Sequence, residues 1–198
     1  MSSDLVYLAS QSPRRAELLR QLGLSFEIVT APVDERVLPG ESPEQYVRRV
    51  AHDKAQSALL KLSKRRQAPI LAADTAVVAG EVILGKPRDR EEGLAMLARL
   101  AGHSHQVLSA VALWTPNGIL EALSISEVRF RDIAPAEAEA YWNTGEPADK
   151  AGGYAIQGLG AVFIMQLTGS YSGVMGLPLY ETTELLRQAG LEVMTKHA

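Results

Sequence analysis

An apolar run that ends abruptly in small polar residues limits the folds open to this chain more than any other stretch. Residues 5–8 read as a buried strand, because their apolar side chains follow one another without a break. Ser12 is a suitable helix N-cap, and Pro13 stands at the first helical position, where its missing N–H costs no hydrogen bond. The leucine spacing then predicts a helix over residues 16–22, which Gly23 ends. A strand, a turn and a helix in direct succession indicate an α/β protein.

The start of this predicted helix carries two arginines, Arg14 and Arg15, directly after the hydroxyl groups of Ser10 and Ser12. Cations at a helix N-terminus oppose the helix dipole, so the pair costs a little stability. Exposed amides, hydroxyls and guanidinium groups together make a good site for phosphate or carboxylate. The residues alone leave two interpretations open, an anion-binding site and an arginine pair on the surface.

Predicted helices and strands alternate along the rest of the chain. A long helix is predicted from the Ser42 cap to about residue 60, and Lys54 lies at the edge of its apolar stripe. The segment 116–118, Pro-Asn-Gly, is a strong hairpin signal between two long strands. Further predicted elements are strands at 26–29, 70–73, 106–114, 119–130 and 161–167, and helices at 89–100, 135–142 and 178–188.

Asp74 directly follows the predicted strand 70–73 and precedes a further apolar run. Burying a carboxylate without a partner is costly. Asp74 is therefore either a hydrogen-bonded structural residue or a metal ligand or general base. Asp34 and Glu35 stand side by side in a polar loop, where the residues alone favour two solvated acids.

Two glycine-bearing stretches invite comparison with nucleotide-binding motifs. Residues 80–86 fit G-x-x-x-x-G-K, but Pro87 replaces the metal-binding Ser or Thr and has no amide to offer a phosphate. A hairpin over residues 75–84 explains this spacing better, and it leaves Lys86 as a candidate phosphate contact. Residues 146–160 form a Gly-rich loop that lacks the last glycine of a dinucleotide fingerprint. A loop of this length is typical of a functional segment.

The composition excludes several classes of protein. A length of 198 residues fits a single domain, and a formal net charge of -3 argues against a general nucleic-acid binder. The absence of cysteine excludes disulfides, thiolate zinc sites and thiol nucleophiles. No signal peptide and no membrane span are visible, so we expect a soluble, cytoplasmic protein. No aromatics interrupt the basic run Lys61, Lys64, Arg65 and Arg66, which is typical of a solvated helix end.

Three polar clusters follow predicted strands or hairpins, at residues 10–15, at Asp74 with Thr75, and at Lys86. Open α/β sheets bind ligands at strand ends, so these clusters are expected to line one site. Hydrolysis of a phosphate ester or anhydride uses this set, with cations and a divalent metal neutralising the phosphates and a carboxylate activating water. Acyl transfer fits less well, because the chain has no G-x-S-x-G motif.

Four stretches of this chain resemble the signatures of Maf-type nucleoside triphosphate pyrophosphatases. They are 8–15 (Leu-Ala-Ser-Gln-Ser-Pro-Arg-Arg), 73–75 (Ala-Asp-Thr), 85–87 (Gly-Lys-Pro) and 149–158 (Asp-Lys-Ala-Gly-Gly-Tyr-Ala-Ile-Gln-Gly). The resemblance implies one domain over residues 1–198, with a mixed twisted sheet and flanking helices in two lobes around a cleft, similar to inosine triphosphate pyrophosphatases. It also implies cleavage between the α and β phosphates of a nucleoside triphosphate, and a homodimer.

The resemblance assigns roles to individual residues. It makes Asp74 the catalytic aspartate, and it implies that Glu35 and Asp74 bind Mg²⁺ or Mn²⁺. The implied phosphate-binding residues are Ser10, Arg14, Arg15, Lys54 and Lys86. Substrate class is implied to depend on Arg14, Thr75 and Gln157, which resemble the branch acting on dTTP and UTP rather than the 7-methyl-GTP branch. Gln157 offers a donor and an acceptor, which suits the imide edge of uracil or thymine.

Two rival functions share much of this chemistry. One is a nucleotide-sensing regulator of cell division that binds nucleotide without turnover. The other is a phosphatase that removes the γ-phosphate and releases orthophosphate. The sensor and the pyrophosphatase differ at Asp74, which a sensor needs only for metal and an enzyme needs for turnover.

Overall fold

The computed structural model describes residues 5–30, 32–62 and 68–193. Strands and helices alternate within these ranges, as the sequence predicts. In chain order they are β1 (Leu5–Leu8), α1 (Pro13–Gln21), β2 (Ser25–Ile28), α2 (Pro43–Leu62), β3 (Ile70–Ala79), β4 (Val82–Leu84), α3 (Arg90–Leu100), β5 (Ser104–Thr115), β6 (Gly118–Phe130), α4 (Pro135–Asn143), β7 (Ile164–Thr168), α5 (Tyr171–Met175) and α6 (Leu179–Gln188).

The strands form one seven-stranded mixed sheet. Its order is β2-β1-β3-β5-β6-β7, and β4 pairs with β3 outside this path. β1 pairs in parallel with β2 and β3, whereas β4 pairs antiparallel with β3 and β7 pairs antiparallel with β6. Gly80 has φ +64 at the predicted β3–β4 turn, a backbone conformation that suits glycine. The predicted α/β class, with a mixed sheet and flanking helices, is confirmed.

The chain divides into two compact units. The first comprises the described residues of Met1–Asp74, Ser109–Ser124 and Gly176–Ala198, and the second comprises Thr75–Leu108 and Ile125–Met175. β3, β5 and β6 each contribute residues to both units. The single domain with a cleft between two lobes stays a prediction. Within the described ranges, no helix is both long enough and apolar enough to cross a membrane.

The long helix α2 buries one stripe of its surface in the first unit. Its buried residues are Val47, Val50, Ala51, Ala55 and Ala58, a spacing that places them on one helical face. The start of the helix has reciprocal hydrogen bonds between Ser42 and Gln45, as the capping signal predicts. Of the predicted basic helix end, Lys61 is exposed, whereas Lys64, Arg65 and Arg66 lie outside the described residues.

β3 differs from its prediction, because the strand does not end at Asp74. It continues from Ile70 to Ala79, so Asp74 lies in its middle. The chain can keep a carboxylate there because Lys54 of α2 donates a hydrogen bond to it, which offsets part of the cost of burial. The expectation that Asp74 and Thr75 follow a strand end is therefore wrong.

The second half of the chain contains two further differences. β7 begins at Ile164 rather than at residue 161, because Leu159–Phe163 forms a 3₁₀ turn. The short helix α5 was not predicted, and its start is capped by a hydrogen bond from Gly173 N–H to the Ser170 hydroxyl. The loop at 146–160 is not irregular throughout, since two more 3₁₀ turns, Glu146–Asp149 and Ala151–Gly153, lie within it.

A buried histidine lies in the core of the second unit. His105 is 3% exposed, its Nε2 lies 2.8 Å from the Tyr154 hydroxyl, and its ring meets the Phe130 ring edge-on. Burial lowers the pKa of His105 to about 4. The folded protein therefore keeps this imidazole neutral at pH values where the unfolded chain protonates it.

We expect His105 to make the protein less stable in mild acid. Between its ordinary pKa of about 6.5 and its folded value, only the unfolded state binds the proton, so stability falls as pH falls through this window. From about pH 7 to about pH 4 the loss is about 3 kcal/mol. His105→Gln should lack this loss in urea unfolding, whereas the same change at exposed His103 should follow the wild type. Equal pH dependence of wild type and H105Q would contradict the assignment.

Candidate active site

An ammonium group joins two carboxylates in the first unit. Lys54 Nζ lies 2.8 Å from Asp74 Oδ1 and 2.7 Å from Glu35 Oε1. The side chains of Lys54 and Asp74 are 14% and 9% exposed, whereas that of Glu35 is 50% exposed. The Lys54–Asp74 pair is thus largely shielded from water, and Glu35 reaches it from a loop open to solvent.

The helical repeat of α2 explains the position of Lys54. Tyr46, Val50 and Lys54 follow one another at intervals of four residues, which places them on one face of the helix. Val50 is buried, and Lys54 is half-buried at the edge of the stripe, as the sequence predicts. Its long side chain therefore keeps the ammonium group within reach of Asp74 on the adjacent strand β3.

Asp74 carries the most unusual environment in this group. Burial raises the pKa of Asp74, while the nearby charges of Lys54 and Arg15 act in the opposite direction, and the balance is a raised value. Its second carboxylate oxygen, Oδ2, is buried and has no hydrogen-bond partner among the described residues. A buried acceptor without a partner is costly. Its position is suited to a water molecule, a cation or a substrate atom.

Arg15 is held in place beside this carboxylate. Its Nε donates to the Gly176 carbonyl at 2.8 Å, and its Nη1 donates to the Ser10 hydroxyl at 3.2 Å. The charges of Asp74, Arg14 and Glu35 all affect the pKa of Arg15, although burial, which lowers it, is the largest cause. The structure therefore brings two predicted phosphate-binding residues close to the predicted catalytic aspartate.

The turn before α1 differs in one detail from its prediction. Ser12 stands at the N-cap position, but its side chain makes no capping hydrogen bond. The Ser10 hydroxyl instead accepts from Ser12 N–H at 3.2 Å as well as from Arg15. Ser10 is buried, and it ties the turn after β1 to the guanidinium group.

Sequence reasoning missed the residues that hold the Glu35 loop against α2. Arg49 donates to both carboxylate oxygens of Glu41, at 2.6 and 2.9 Å, and to the backbone carbonyls of Asp34 and Arg36. The Tyr46 hydroxyl donates to the Glu35 carbonyl at 3.0 Å. Burial raises the pKa of Tyr46 to about 12, and the charges of Asp74 and Glu35 add to this effect. The position of Tyr46, two helical turns before Lys54 on the same face of α2, is a sequence signal that could have indicated this role.

Of the other predicted site residues, Arg14 is half-buried in α1 of the first unit, and three belong to the second unit. Thr75 is half-buried in β3, Lys86 is exposed after β4, and Gln157 is exposed in the Gly-rich loop. Within this unit Gly152 N–H donates to the Gly85 carbonyl at 3.0 Å, which ties the Gly-rich loop to the residue before Lys86. Gly152 has φ +69, and an added Cβ would lie 2.9 Å from a Val77 methyl group, so only glycine fits there.

The described residues contain no cluster of three or more His, Asp or Glu side chains suited to a metal ion. Glu35 and Asp74 nevertheless offer two carboxylates on either side of Lys54, one of them with the unpartnered Oδ2. Mg²⁺ commonly binds through one or two carboxylates together with substrate phosphates. This donor set fits a divalent ion that binds together with a phosphorylated ligand.

Matches to a family model and to individual proteins agree on the family of this chain. The family described as Maf-like protein matches residues 5–189. The dTTP/UTP pyrophosphatase of Saccharophagus degradans is 55% identical over 93% of this chain and 88% of its own length, and that of Cupriavidus metallidurans is 52% identical over 96% and 98%. The solved structure of the Staphylococcus aureus Ham1 protein is a distant match, with 15% identity, a TM-score of 0.45, and coverage of 65% of this chain and 72% of that chain. The chain belongs to the family of Maf-like proteins.

Proposed function

We propose that this protein is a nucleoside triphosphate pyrophosphatase that hydrolyses dTTP and UTP to the monophosphate and pyrophosphate. The main support for this proposal is the environment of Asp74. One oxygen of this buried carboxylate accepts a hydrogen bond from Lys54, and the other oxygen has no hydrogen-bond partner among the described residues. Relatives more than half identical to this chain over nearly its full length bear the name dTTP/UTP pyrophosphatase. The names of these relatives and the chemistry of the Asp74 site support the same reaction.

Residues of the first unit have different roles in the cleavage of the phosphoanhydride bond. Asp74 orients the attacking water and accepts its proton, and burial favours this because it raises the pKa of the carboxyl group. Arg15, Ser10 and Lys54 bind the phosphate oxygens and neutralise charge that builds up on the leaving pyrophosphate. Glu35 and Asp74 would hold a divalent ion, Mg²⁺ or Mn²⁺, which when bound polarises the phosphate oxygens.

We propose that Arg14, Thr75 and Gln157 select the nucleobase. We propose that Lys86 binds the phosphates. The residue type of Gln157 supports its role, because its amide matches the donor and acceptor edge of uracil or thymine. Gln157 and Lys86 are both exposed and so accessible to a ligand. We further propose that the protein works in the cytoplasm as a homodimer. Light scattering of the purified protein tests the homodimer directly.

A panel of nucleotides tests the proposed substrate class. We expect the highest kcat/KM for dTTP and UTP, and values at least about tenfold lower for CTP, GTP and 7-methyl-GTP, because a hydrogen-bonding site rejects bases that leave its polar groups unpaired. The measurement is the rate of pyrophosphate release with Mg²⁺ and, separately, with Mn²⁺. Preferential cleavage of a purine nucleotide would contradict the role of Gln157 and leave the chemistry at Asp74 intact.

A further inference from the structure

The carboxylate of Glu146 helps to hold the loop that carries Gln157. Glu146 Oε2 accepts from Leu159 N–H at 2.9 Å, and Glu146 Oε1 accepts from Gly160 N–H at 3.0 Å. The Tyr141 hydroxyl donates to the same Oε1 at 2.6 Å and accepts from Ala155 N–H at 3.1 Å. We call Glu146, Tyr141 and the three amides that they bind the carboxylate clasp. It holds the chain on both sides of Gln157.

The ionised state of Glu146 suits this role. Burial by itself would raise the pKa of Glu146, but the hydrogen bonds from Tyr141, Gly160 and Leu159 outweigh burial and hold it below its ordinary value. Hydrogen bonds to a charged acceptor are stronger than those between neutral groups. The clasp is therefore fully formed at neutral pH.

Two glycines have no room for a side chain beside the clasp. A Cβ added at Gly158 would lie 2.2 Å from Glu146 Oε2, and one added at Gly160 would lie 2.6 Å from the Tyr141 hydroxyl and 2.9 Å from the Ala155 carbonyl. Gly158 N–H also donates to the Ala155 carbonyl, which closes the loop on itself. The close approach of the backbone explains why glycines stand at both positions.

We propose that Glu146 and Tyr141 are positioning residues for base selection, and that the clasp fixes the backbone from which Gln157 meets the nucleobase. The inference rests on the proposed function, in which Gln157 recognises the base. An amide has a donor end and an acceptor end, so a half-turn exchanges the pattern that suits uracil for the one that suits cytosine. A fixed backbone limits the directions from which this amide can approach the base, so fewer of its arrangements can pair with the wrong pattern.

Glu146→Gln provides the main test. The Gln side chain has one acceptor oxygen and one NH₂ group, so the NH₂ group would face a backbone N–H or the Tyr141 hydroxyl, and the clasp opens. We expect the ratio of kcat/KM for UTP to that for CTP to fall about tenfold, while kcat for UTP changes by less than about threefold, because Asp74 and its partners are untouched. Glu139→Gln, at an exposed carboxylate of α4, should keep the wild-type ratio.

Gly158→Ala gives a second route to the same state if E146Q does not fold. The added methyl group displaces the end of the flexible Glu146 side chain and leaves the carboxylate in the chain. Hydrogen exchange then reports on the clasp independently of activity. The amides of Leu159 and Gly160 should be protected in wild type and E139Q, and should exchange faster in E146Q and G158A.

Gln157→Ala separates failure of this inference from failure of the proposed function. We expect Q157A to lower the UTP to CTP ratio as E146Q does, and the double variant to lower it no further, because both changes act through one group. A reduced ratio in Q157A with an unchanged ratio in E146Q and G158A would overturn the clasp alone. Wild-type protection of both amides in E146Q would overturn it too. An unchanged ratio in Q157A would remove the base-reading role of Gln157, and this inference with it.

Discussion

Replacing Asp74 with Asn is expected to lower kcat for UTP by about 10³-fold, within the range seen when a general base is removed. Asn is nearly the same size but can neither accept the proton of the attacking water nor hold a metal ion as a charged ligand. Lys54 keeps Glu35 as a partner at 2.7 Å, so the ammonium group is not left without a carboxylate. Nucleotide binding should therefore survive when turnover is lost.

The test needs turnover, binding and folding from the same preparations. Pyrophosphate release gives kcat, calorimetry gives the affinity for UTP, and thermal unfolding shows that D74N is folded. Asp132→Asn, at an exposed aspartate of the second unit, is the matched control and should retain wild-type kcat. A D74N variant with near wild-type kcat would remove Asp74 from the chemistry. Tight binding without turnover in both wild type and D74N would favour the nucleotide sensor.

Replacing Lys54 with Met is expected to have the largest effect on stability. The ammonium group donates a hydrogen bond to buried Asp74 and also binds Glu35. Its loss leaves a buried carboxylate without its hydrogen-bonded cation, although the charge of Arg15 stays nearby, and this costs about 3 kcal/mol near neutral pH. Lys61→Met is the control from the same helix, because Lys61 is exposed and donates to a backbone carbonyl, that of Thr30, rather than to a buried carboxylate.

The pH dependence of this variant has a definite sign. Lys54 acts to lower the pKa of Asp74, so its removal raises that pKa further above the ordinary value. The native state then binds a proton that the unfolded state has lost, and stability falls as pH rises between the two values. Urea unfolding should show K54M most destabilised near pH 7 and recovering toward the wild type in mild acid. The acid limb of its residual kcat/KM should also move to higher pH. A destabilisation that is equal at both pH values would contradict this account.

The sequence predicted the parts of this site that have a strong local pattern. The alternation of strands and helices, the strand-turn-helix at the start and the position of Lys54 at the edge of an apolar stripe all follow from periodicity and capping. The full length of β3 could not be predicted from the sequence, because an acidic residue after an apolar run indicates the end of a strand unless its partner is known. That partner, Lys54, stands 20 residues earlier in the chain.

The roles of Glu35, Arg49 and Glu146 depend on contacts between distant segments. Glu35 read as a solvated loop acid, and it is half-exposed, yet Arg49 and Tyr46 hold its loop so that the carboxylate meets Lys54. Glu146 has no local pattern at all, since its partners are amides 13 and 14 residues further along. The co-linear signatures of the Maf-like family supplied what local patterns did not, namely the proposed catalytic role of Asp74 and the proposed class of substrate.

Phosphorus NMR of UTP incubated with the folded protein and Mg²⁺ shows which phosphoanhydride bond is cleaved. We expect the three triphosphate signals to be replaced by those of UMP and pyrophosphate in equal amounts, and we expect D74N to leave the triphosphate signals unchanged over the same period. Signals of UDP and orthophosphate would show that the γ-phosphate is removed instead, and would contradict the account. Unchanged UTP with folded wild-type protein, in the presence of either Mg²⁺ or Mn²⁺, would contradict it as well.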